Sequence, residues 1–231
     1  MTYDASEFPP FAVTVDLAVL TLREGKLCAL LITRGAEPFQ GQPALPGGFV
    51  HIRESTDAAA IRELAEETGV RAFPGHVEQL ATYSAPDRDP RMRVVSVAYV
   101  AFAPNMPEPV AGTDAADAAW IAIEDLPDDL AFDHRTILDD AIERVRSKLE
   151  YTTLATQFVG TTFTLRELQT VYETVWDVTW DRANFRRKVL GTPDFVRAVD
   201  GETVATGTRG RHAQLYRAGE ATTLYPPILR G

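Results

Sequence analysis

The stretch GFVHIRESTDAAAIRELAEETGV, residues 48–70, decides the fold of the N-terminal part of this chain. It holds a glycine, a glutamate six positions later, and then the run RELAEETGV that begins at Arg62. Residues 56–68 have the apolar spacing of a helix, and Gly69 suits the position after a helix end, where glycine readily adopts the left-handed conformation. We therefore predict a helix over residues 56–68.

Three glutamates of this helix share one face. Glu63, Glu66 and Glu67 stand at positions i, i+3 and i+4, which places their carboxylates about 6 Å apart. Three neighbouring anions repel one another, and Mg²⁺ or Mn²⁺, which prefer hard oxygen ligands, would neutralise them. Glu54 can reach the same metal from the preceding loop, and Arg62 can steady the cluster through bidentate carboxylate contacts. Taken alone, such a triplet is more often a solvated acidic helix face.

Together these positions resemble the Nudix box: a glycine, five residues, a glutamate, seven residues, and then Arg-Glu-apolar-X-Glu-Glu-X-Gly-apolar. Every fixed position of that pattern is present. The resemblance implies an α/β fold, a Nudix α/β/α sandwich with a mixed sheet. It also implies chemistry on a nucleoside diphosphate linked to another group, with Mg²⁺ or Mn²⁺ as cofactor. The residues to which it gives catalytic roles are Arg62, Glu63, Glu66 and Glu67, and the metal ligands it implies are Glu54, Glu63, Glu66 and Glu67.

The segment PDRDPRMRVVSVAY, residues 86–99, resembles the corresponding segment of Nudix domains that handle ADP-ribose. Its arginines are expected to grip phosphate or the terminal ribose, although a charged hairpin loop explains them as well. The residues expected to bind ligand are Arg34, Gly48, Arg88 and Arg91. The general base stays open, because Nudix enzymes can place it outside the box; Asp114 and Asp117, in a predicted loop, are candidates.

Strands and a second helix complete the predicted N-terminal domain, residues 1–150. Strands are predicted over residues 11–22, 26–33, 76–83, 94–103 and 119–123, and the first two form a hairpin. A long loop rich in Pro and Gly is predicted over residues 35–48. Asp133 is expected to cap a last helix that runs to about Lys148, with apolar residues spaced for one face.

A second domain, residues 151–231, is predicted from a change in charge and pattern. Residues 1–150 hold 13 basic and 25 acidic residues, a net charge of −12, whereas residues 151–231 hold 10 and 8, a net charge of +2. Phosphate binding requires Lys and Arg, so the C-terminal part is the candidate for nucleic acid despite the whole-chain charge of −10. Thr164 begins a capping box for one helix, Asp181 caps a second, and two strands follow, which predicts a winged helix-turn-helix.

The second of these helices is the predicted recognition helix. Phe185, Val189 and Leu190 are expected to pack inward, which turns its polar residues toward a DNA major groove. A solvated basic face is the alternative for such a helix by itself. Two further arginines at the tip of the predicted wing are placed for phosphate or the minor groove. The predicted DNA-contacting residues are Arg182, Asn184, Arg186, Arg187, Lys188, Arg209 and Arg211.

A complete Nudix box followed by a basic winged helix resembles the Nudix-related transcriptional regulators of bacterial NAD metabolism, over nearly the whole chain. That resemblance implies a homodimer that represses genes of NAD biosynthesis or salvage and leaves its double-stranded operator DNA when ADP-ribose fills the Nudix pocket. Many such regulators have lost box residues, whereas all three helix glutamates are intact here. A magnesium-dependent ADP-ribose pyrophosphatase that yields AMP and ribose 5-phosphate is therefore the alternative.

The remaining features are those of an ordinary globular protein, 45% apolar and 24% charged. No run approaches the roughly 18 apolar residues of a membrane span, and the N-terminus lacks the basic region of a signal peptide, so we expect a cytoplasmic protein without membrane contact. Cys28, the single cysteine, lies in an apolar run and is expected to be a small core residue. An RNA-binding or decapping role has little support, because the sequence shows no aromatic stacking platform.

Overall fold

A mixed sheet forms the centre of the N-terminal domain in the computed structural model, which describes residues 9–70, 73, 75–110, 115–205 and 212–230. Within those residues the strand order is β3-β2-β1-β6-β5, with β4 paired to β1 and β7 to β2. β1 and β6 are parallel, and the other pairs are antiparallel, which confirms the predicted mixed sheet. The strands are β1 Ala12–Arg23, β2 Lys26–Arg34, β3 Pro43–Ala44, β4 Gly47–Phe49, β5 His76–Tyr83, β6 Val94–Phe102 and β7 Ala115–Ala122.

The predicted hairpin joins β1 to β2. Glu24 and Gly25 form its two-residue turn and both have positive φ, 51° and 79°. Two positive φ angles match the right-handed twist of the flanking strands, which is the reason two-residue hairpins prefer such turns. Cys28 is buried on β2, as predicted.

The segment 35–48 is not the uninterrupted loop that its proline and glycine content predicts. β3 pairs with β2, and Gly47 and Gly48 pair with Asp16 and Val15 of β1. Such residues have low intrinsic strand propensity, so these short strands form only because β1 and β2 offer backbone partners. The pairing fixes the glycine of the box at the edge of a rigid sheet.

One helix covers each face of the sheet. α1, Thr56–Thr68, has the bounds that the sequence predicts; Ser55 caps its start and Gly69, with φ of 73°, ends it. α2, His134–Tyr151, packs on the opposite face through residues that include Ile137 and Ile142. The two separate cores confirm the α/β/α sandwich. Within the described ranges, no helix combines the length and the apolar content of a membrane span.

The C-terminal part has the helix, turn, helix and hairpin order of a winged helix. Its elements are α3 Leu165–Trp176, α4 Arg182–Gly191, β8 Val196–Ala205 and β9 His212–Ala218. Thr164 forms the predicted capping box with Glu167, and Asp181 caps α4 by accepting from the Asn184 N–H. The sequence predicts the first strand of the wing over residues 195–199. β8 is longer than this prediction and continues to Ala205.

One hydrophobic core continues from α2 into the winged helix. Phe102 of β6 stacks on Phe158 with ring centroids 4.6 Å apart. Arg146 of α2 donates to the Val175 carbonyl at 3.0 Å, and Trp176 donates from its indole N–H to the Arg146 carbonyl, also at 3.0 Å. The division at residues 150 and 151 remains a prediction, and α2 continues across it to Tyr151.

Candidate ligand cleft and nucleic-acid interface

A cleft of about 510 Å³ lies where β1, β2, β4, α1 and the start of α2 meet. It collects side chains that are far apart in the sequence, from Thr14 to His134. Eight residues predicted to act in catalysis or ligand binding line it: Arg34, Gly48, Arg62, Glu63, Glu66, Glu67, Arg88 and Arg91. Glu54, a predicted metal ligand, is held behind Arg62 and is not part of the lining.

Arg62 contacts three of the four box glutamates. Its guanidinium binds Glu54 in a bidentate contact, at 3.1 Å and 2.6 Å, and its Nη1 donates to Glu63 at 2.7 Å and to Glu66 at 3.0 Å. The contacts with Arg62 and with the His51 N–H lower the pKa of Glu54 to about 2. Glu54 therefore stays ionised across the physiological range and orients Arg62.

Two backbone contacts position the remaining box carboxylates. Glu63 packs so closely on Gly48 that a Cβ at residue 48 would lie 2.3 Å from Glu63 Oε1 and would displace the carboxylate from this position. Burial raises the pKa of Glu63, although Arg62 opposes that effect. Glu67 is buried and accepts from the Gly47 N–H at 2.8 Å. The paired glycines of β4 thus set the position of α1 against the sheet.

The donor chemistry of the cleft fits a divalent cation. Glu54, Glu63, Glu66 and Glu67 supply hard carboxylate oxygens, which Mg²⁺ and Mn²⁺ prefer. Across the described residues, however, no three His, Cys, Asp or Glu side chains converge on one metal position. Arg62 accounts for this arrangement, because it binds three of the four glutamates. Glu63, Glu66 and Glu67 line the cleft and would hold the cation there, whereas a metal contact of Glu54 stays a prediction.

Arg88 is a mostly buried part of the cleft wall. Its side chain is 4% exposed and donates from Nε and Nη2 to Asp133 at 2.9 Å and 2.6 Å and to Asp16 at 3.2 Å. These contacts hold Arg88 in the wall, and its predicted contact with ligand stays a prediction. They also explain why Asp133, although at the N-cap position of α2, makes no side-chain cap, contrary to the prediction.

Asp16 is the buried anion of this network. Burial raises its pKa, but His134, Ser96 and Arg88 outweigh that effect and hold the pKa at about 2. His134 accepts from the Leu45 N–H at Nδ1, at 2.9 Å, and faces Asp16 Oδ1 with Nε2 at 3.3 Å. The hydrogen bond to Nδ1 assigns the ring proton to Nε2. The network ties β1, the segment 86–93 and the start of α2 together beneath the cleft.

Arg34 and Arg91 are the two cations that face the cleft around Phe132. Their guanidinium carbons lie 4.8 Å and 5.6 Å from the centroid of the Phe132 ring. Arg91 is paired with Asp89, whereas Arg34 donates to the carbonyls of Ala36 and Pro38. Burial and the charge of Arg91 lower the pKa of Arg34. Two repelling cations in one cleft favour an anionic ligand such as a diphosphate.

Phe132 and Phe39 close the cleft edge with backbones in the left-handed region. Their φ angles are 57° and 65°, and their rings meet edge to face with centroids 4.8 Å apart. Bulky residues rarely adopt positive φ, and such strain concentrates at ligand sites. Neither residue, nor Asp16 or His134, was predicted to belong to the site, because no local motif marks them and only the tertiary fold brings them together.

The general base stays unassigned. Asp117 lies on β7, not in a loop, and its carboxylate accepts from the neighbouring Ala118 N–H. It does not line the cleft. Asp114 lies outside the described residues.

α4 presents the predicted nucleic-acid surface. Its five candidate residues, Arg182, Asn184, Arg186, Arg187 and Lys188, are all exposed. Phe185 and Val189 pack inward as predicted. Leu190 is 44% exposed, because it lies one position beyond Val189 and therefore off the face that these two residues share. Arg187 donates to Asn184 at 2.7 Å, and Lys188 lies over the Trp180 ring at 4.8 Å. Arg209 and Arg211 at the wing tip lie outside the described residues.

Family comparisons agree with this two-part architecture. The model of the NUDIX domain matches residues 10–141, and the model of the NrtR DNA-binding winged helix domain matches residues 155–218. The cleft and the exposed basic α4 fall within these two ranges. The chain is thus a Nudix protein that carries a DNA-binding type of winged helix.

Similar proteins define the family more closely. The chain is 34% identical to the ADPR responsive transcriptional repressor NtrR of Acinetobacter baylyi, over 93% of this chain and 85% of that protein. Shewanella oneidensis NrtR bound to a 27mer DNA matches with a TM-score of 0.74 and 32% identity, covering 89% and 93% of the two chains. Its Nudix domain complexed with ADP ribose matches with a TM-score of 0.56 and 34% identity, covering 62% and 94%. The chain belongs to the NrtR family of Nudix-related transcriptional regulators.

An enzyme is also similar to the Nudix part. ADP-ribose pyrophosphatase of Methanocaldococcus jannaschii is 44% identical over 48% of this chain and 63% of its own length.

Proposed function

We propose that the protein is a transcriptional repressor of genes of NAD biosynthesis or salvage that releases its operator DNA when ADP-ribose fills the cleft. The observation that carries this proposal is the presence, in one continuous fold, of an arginine-flanked cleft and an exposed basic recognition helix. The relatives named above support the assignment of both ligands. Because this function requires access to operator DNA, the proposal includes a cytoplasmic location.

In this proposal the cleft recognises ADP-ribose by its charge. Arg34 and Arg91 bind the diphosphate, since both line the cleft with their guanidinium groups beside Phe132. The charge-assisted contacts of two guanidinium groups are stronger than neutral hydrogen bonds. A homodimer completes the proposal, because a two-fold protein matches the two half-sites of an operator.

Fluorescence anisotropy tests the proposal. A labelled duplex from upstream of NAD-biosynthesis or salvage genes of the source genome is titrated with protein at fixed salt, and ADP-ribose is then added. We expect specific binding that ADP-ribose reverses, with an unrelated duplex of equal length and AMP as controls. If no such duplex binds more tightly than the unrelated one, the repressor proposal is wrong.

The intact box favours ADP-ribose hydrolysis as a second candidate function. The box glutamates would hold Mg²⁺, which when bound would supply Lewis-acid activation of water for attack at phosphorus. A genuine pyrophosphatase is expected to release AMP and ribose 5-phosphate at about 1–10³ s⁻¹. Glu66→Gln should abolish that release, while Glu124→Gln, an exposed glutamate outside the cleft, should retain it. A magnesium-dependent rate thousands-fold below this range would remove the enzyme from consideration.

A further inference from the structure

α2 is the element that reaches both candidate sites. It begins at the cleft residue His134, two positions after the cleft residue Phe132, and ends at Tyr151, beside the winged helix. Its 18 residues span about 27 Å at 1.5 Å per residue. A rigid helix of this length can carry a displacement from one site to the other.

The cleft end of α2 is built to respond to a ligand. Phe132 holds a positive φ, lies beneath the guanidinium groups of Arg34 and Arg91, and is two residues from the first residue of α2. An anion that draws the two arginines together changes the contacts of Phe132. Asp133 and His134 link any shift of this segment to the buried Asp16 network.

The far end of α2 is fastened to the winged helix in two places. The first is the reciprocal pair of hydrogen bonds between Arg146 and residues 175 and 176 of α3. The second is the C-terminal strap, which we define as residues 219–230. This segment lies beyond both family models, which end at residues 141 and 218.

The C-terminal strap joins the base of the wing to the last turn of α2. At its start, Gly219 and Ala221 donate to the carbonyls of Phe195 and Asp194 at the foot of β8. Further along, the Leu224 and Ile228 N–H groups donate at 2.8 Å to the carbonyls of Tyr151 and Glu150. These carbonyls belong to the end of α2, where no intrahelical donor is available.

Side chains reinforce the attachment. Leu224 and Ile228 are 4% and 1% exposed in the core shared by the two domains. Arg230 forms ion pairs with Glu143 and Glu150, which lie two turns apart on one face of α2. The strap therefore combines backbone, apolar and ionic contacts on one helix end.

We propose that the C-terminal strap locks the winged helix to α2, so that a shift of α2 caused by a ligand at Phe132 moves α4 and changes its fit to DNA. The inference rests on the proposed function, because it concerns how the same two ligands compete. A ligand shifts a conformational equilibrium only by its differential affinity for the two states. If the strap were loosely attached, α2 could shift without moving α4, and ADP-ribose would then have less influence on operator affinity.

The test measures the coupling factor, the ratio of operator Kd values with and without saturating ADP-ribose. For the full-length Arg230→Ala and Ile228→Ala variants we expect the coupling factor to fall by about tenfold, within the usual range of allosteric coupling. Operator affinity without ADP-ribose and ADP-ribose affinity without DNA should both stay close to wild type. Arg135→Ala is the matched control, since it removes an ion pair with Asp139 on α2 that does not reach the winged helix.

Each outcome is decisive. Retained coupling in both strap variants overturns the inference while the proposed function stands, because the wild-type protein still responds to ADP-ribose. A wild-type protein that binds operator without any response to ADP-ribose contradicts the proposed function itself. If Ile228→Ala unfolds, Arg230→Ala, which changes only a partly exposed side chain, decides the question.

Discussion

Arg88 carries its charge beneath the cleft, with two aspartates as partners and only 4% of its side chain exposed. Removal of one member of such a buried network leaves an uncompensated charge and is strongly destabilising. Arg34 and Arg91 also line this cleft and lie beside Phe132, and they are the arginines to which the proposed function assigns the diphosphate.

The pKa of Asp16 makes part of the stability dependent on pH. Its folded-state pKa of about 2 lies below the ordinary aspartate pKa of 3.8, so the ionised form stabilises the fold above pH 4 to 5. That stabilisation is about 2 kcal/mol, and it is lost as the pH falls through the folded pKa, about half of it by pH 3. Urea unfolding at pH 7, 5 and 3 should therefore show a steeper decline for wild type than for Asp16→Asn.

An exposed aspartate provides the control for this measurement. Asp139 on α2 pairs with Arg135 at the surface, so Asp139→Asn should follow the wild-type decline. Equal declines for wild type and Asp16→Asn would show that the buried network does not depend on the charge of Asp16.

At the scale of elements, α4 is expected to carry operator affinity independently of the cleft. Arg187→Ala and Lys188→Ala should each weaken operator binding by about 1–3 kcal/mol if they contact bases. A phosphate contact would instead weaken all duplexes equally and lower the salt dependence of binding. Anisotropy with operator and unrelated duplexes separates the two cases, and calorimetry should show unchanged ADP-ribose affinity. An unchanged operator Kd in both variants would disprove the assignment of α4 as the recognition helix.

Elements with a strong local pattern could be predicted from the sequence, and those formed by tertiary pairing could not. The bounds of α1 follow from its apolar period and Gly69, and α3 from the capping box at Thr164. β3 and β4 escaped prediction because proline and glycine show no strand preference until β1 and β2 pair with them.

The same distinction holds for the site. The box residues form a linear motif that the sequence shows directly, and they do line the cleft. Arg88 was predicted in the cleft, but its ion pairs with Asp16 and Asp133 were not, since its sequence neighbourhood contains neither residue. Phe132 carries no signal, because its importance arises from a positive φ and from arginines 98 and 41 positions away.

At the scale of the whole molecule, the two parts differ in charge but share an interior. The N-terminal part carries the net charge of −12 and the C-terminal part +2, so the acidic domain repels DNA and leaves the basic helix to engage it. The shared core and the C-terminal strap hold these two surfaces in a defined relation. The small anionic ligand and the DNA duplex are thereby recognised on separate faces of the molecule.

The stacking of Phe102 on Phe158 constrains how the two parts of this chain evolve as well as how they fold. A winged helix exchanged for another at residue 151 would leave Phe102 and the inner face of α2 without their apolar cover. Such exposed surface favours aggregation. The two parts of this chain must therefore be inherited as a pair, and a substitution on one side of their common interior restricts which substitutions the other side accepts.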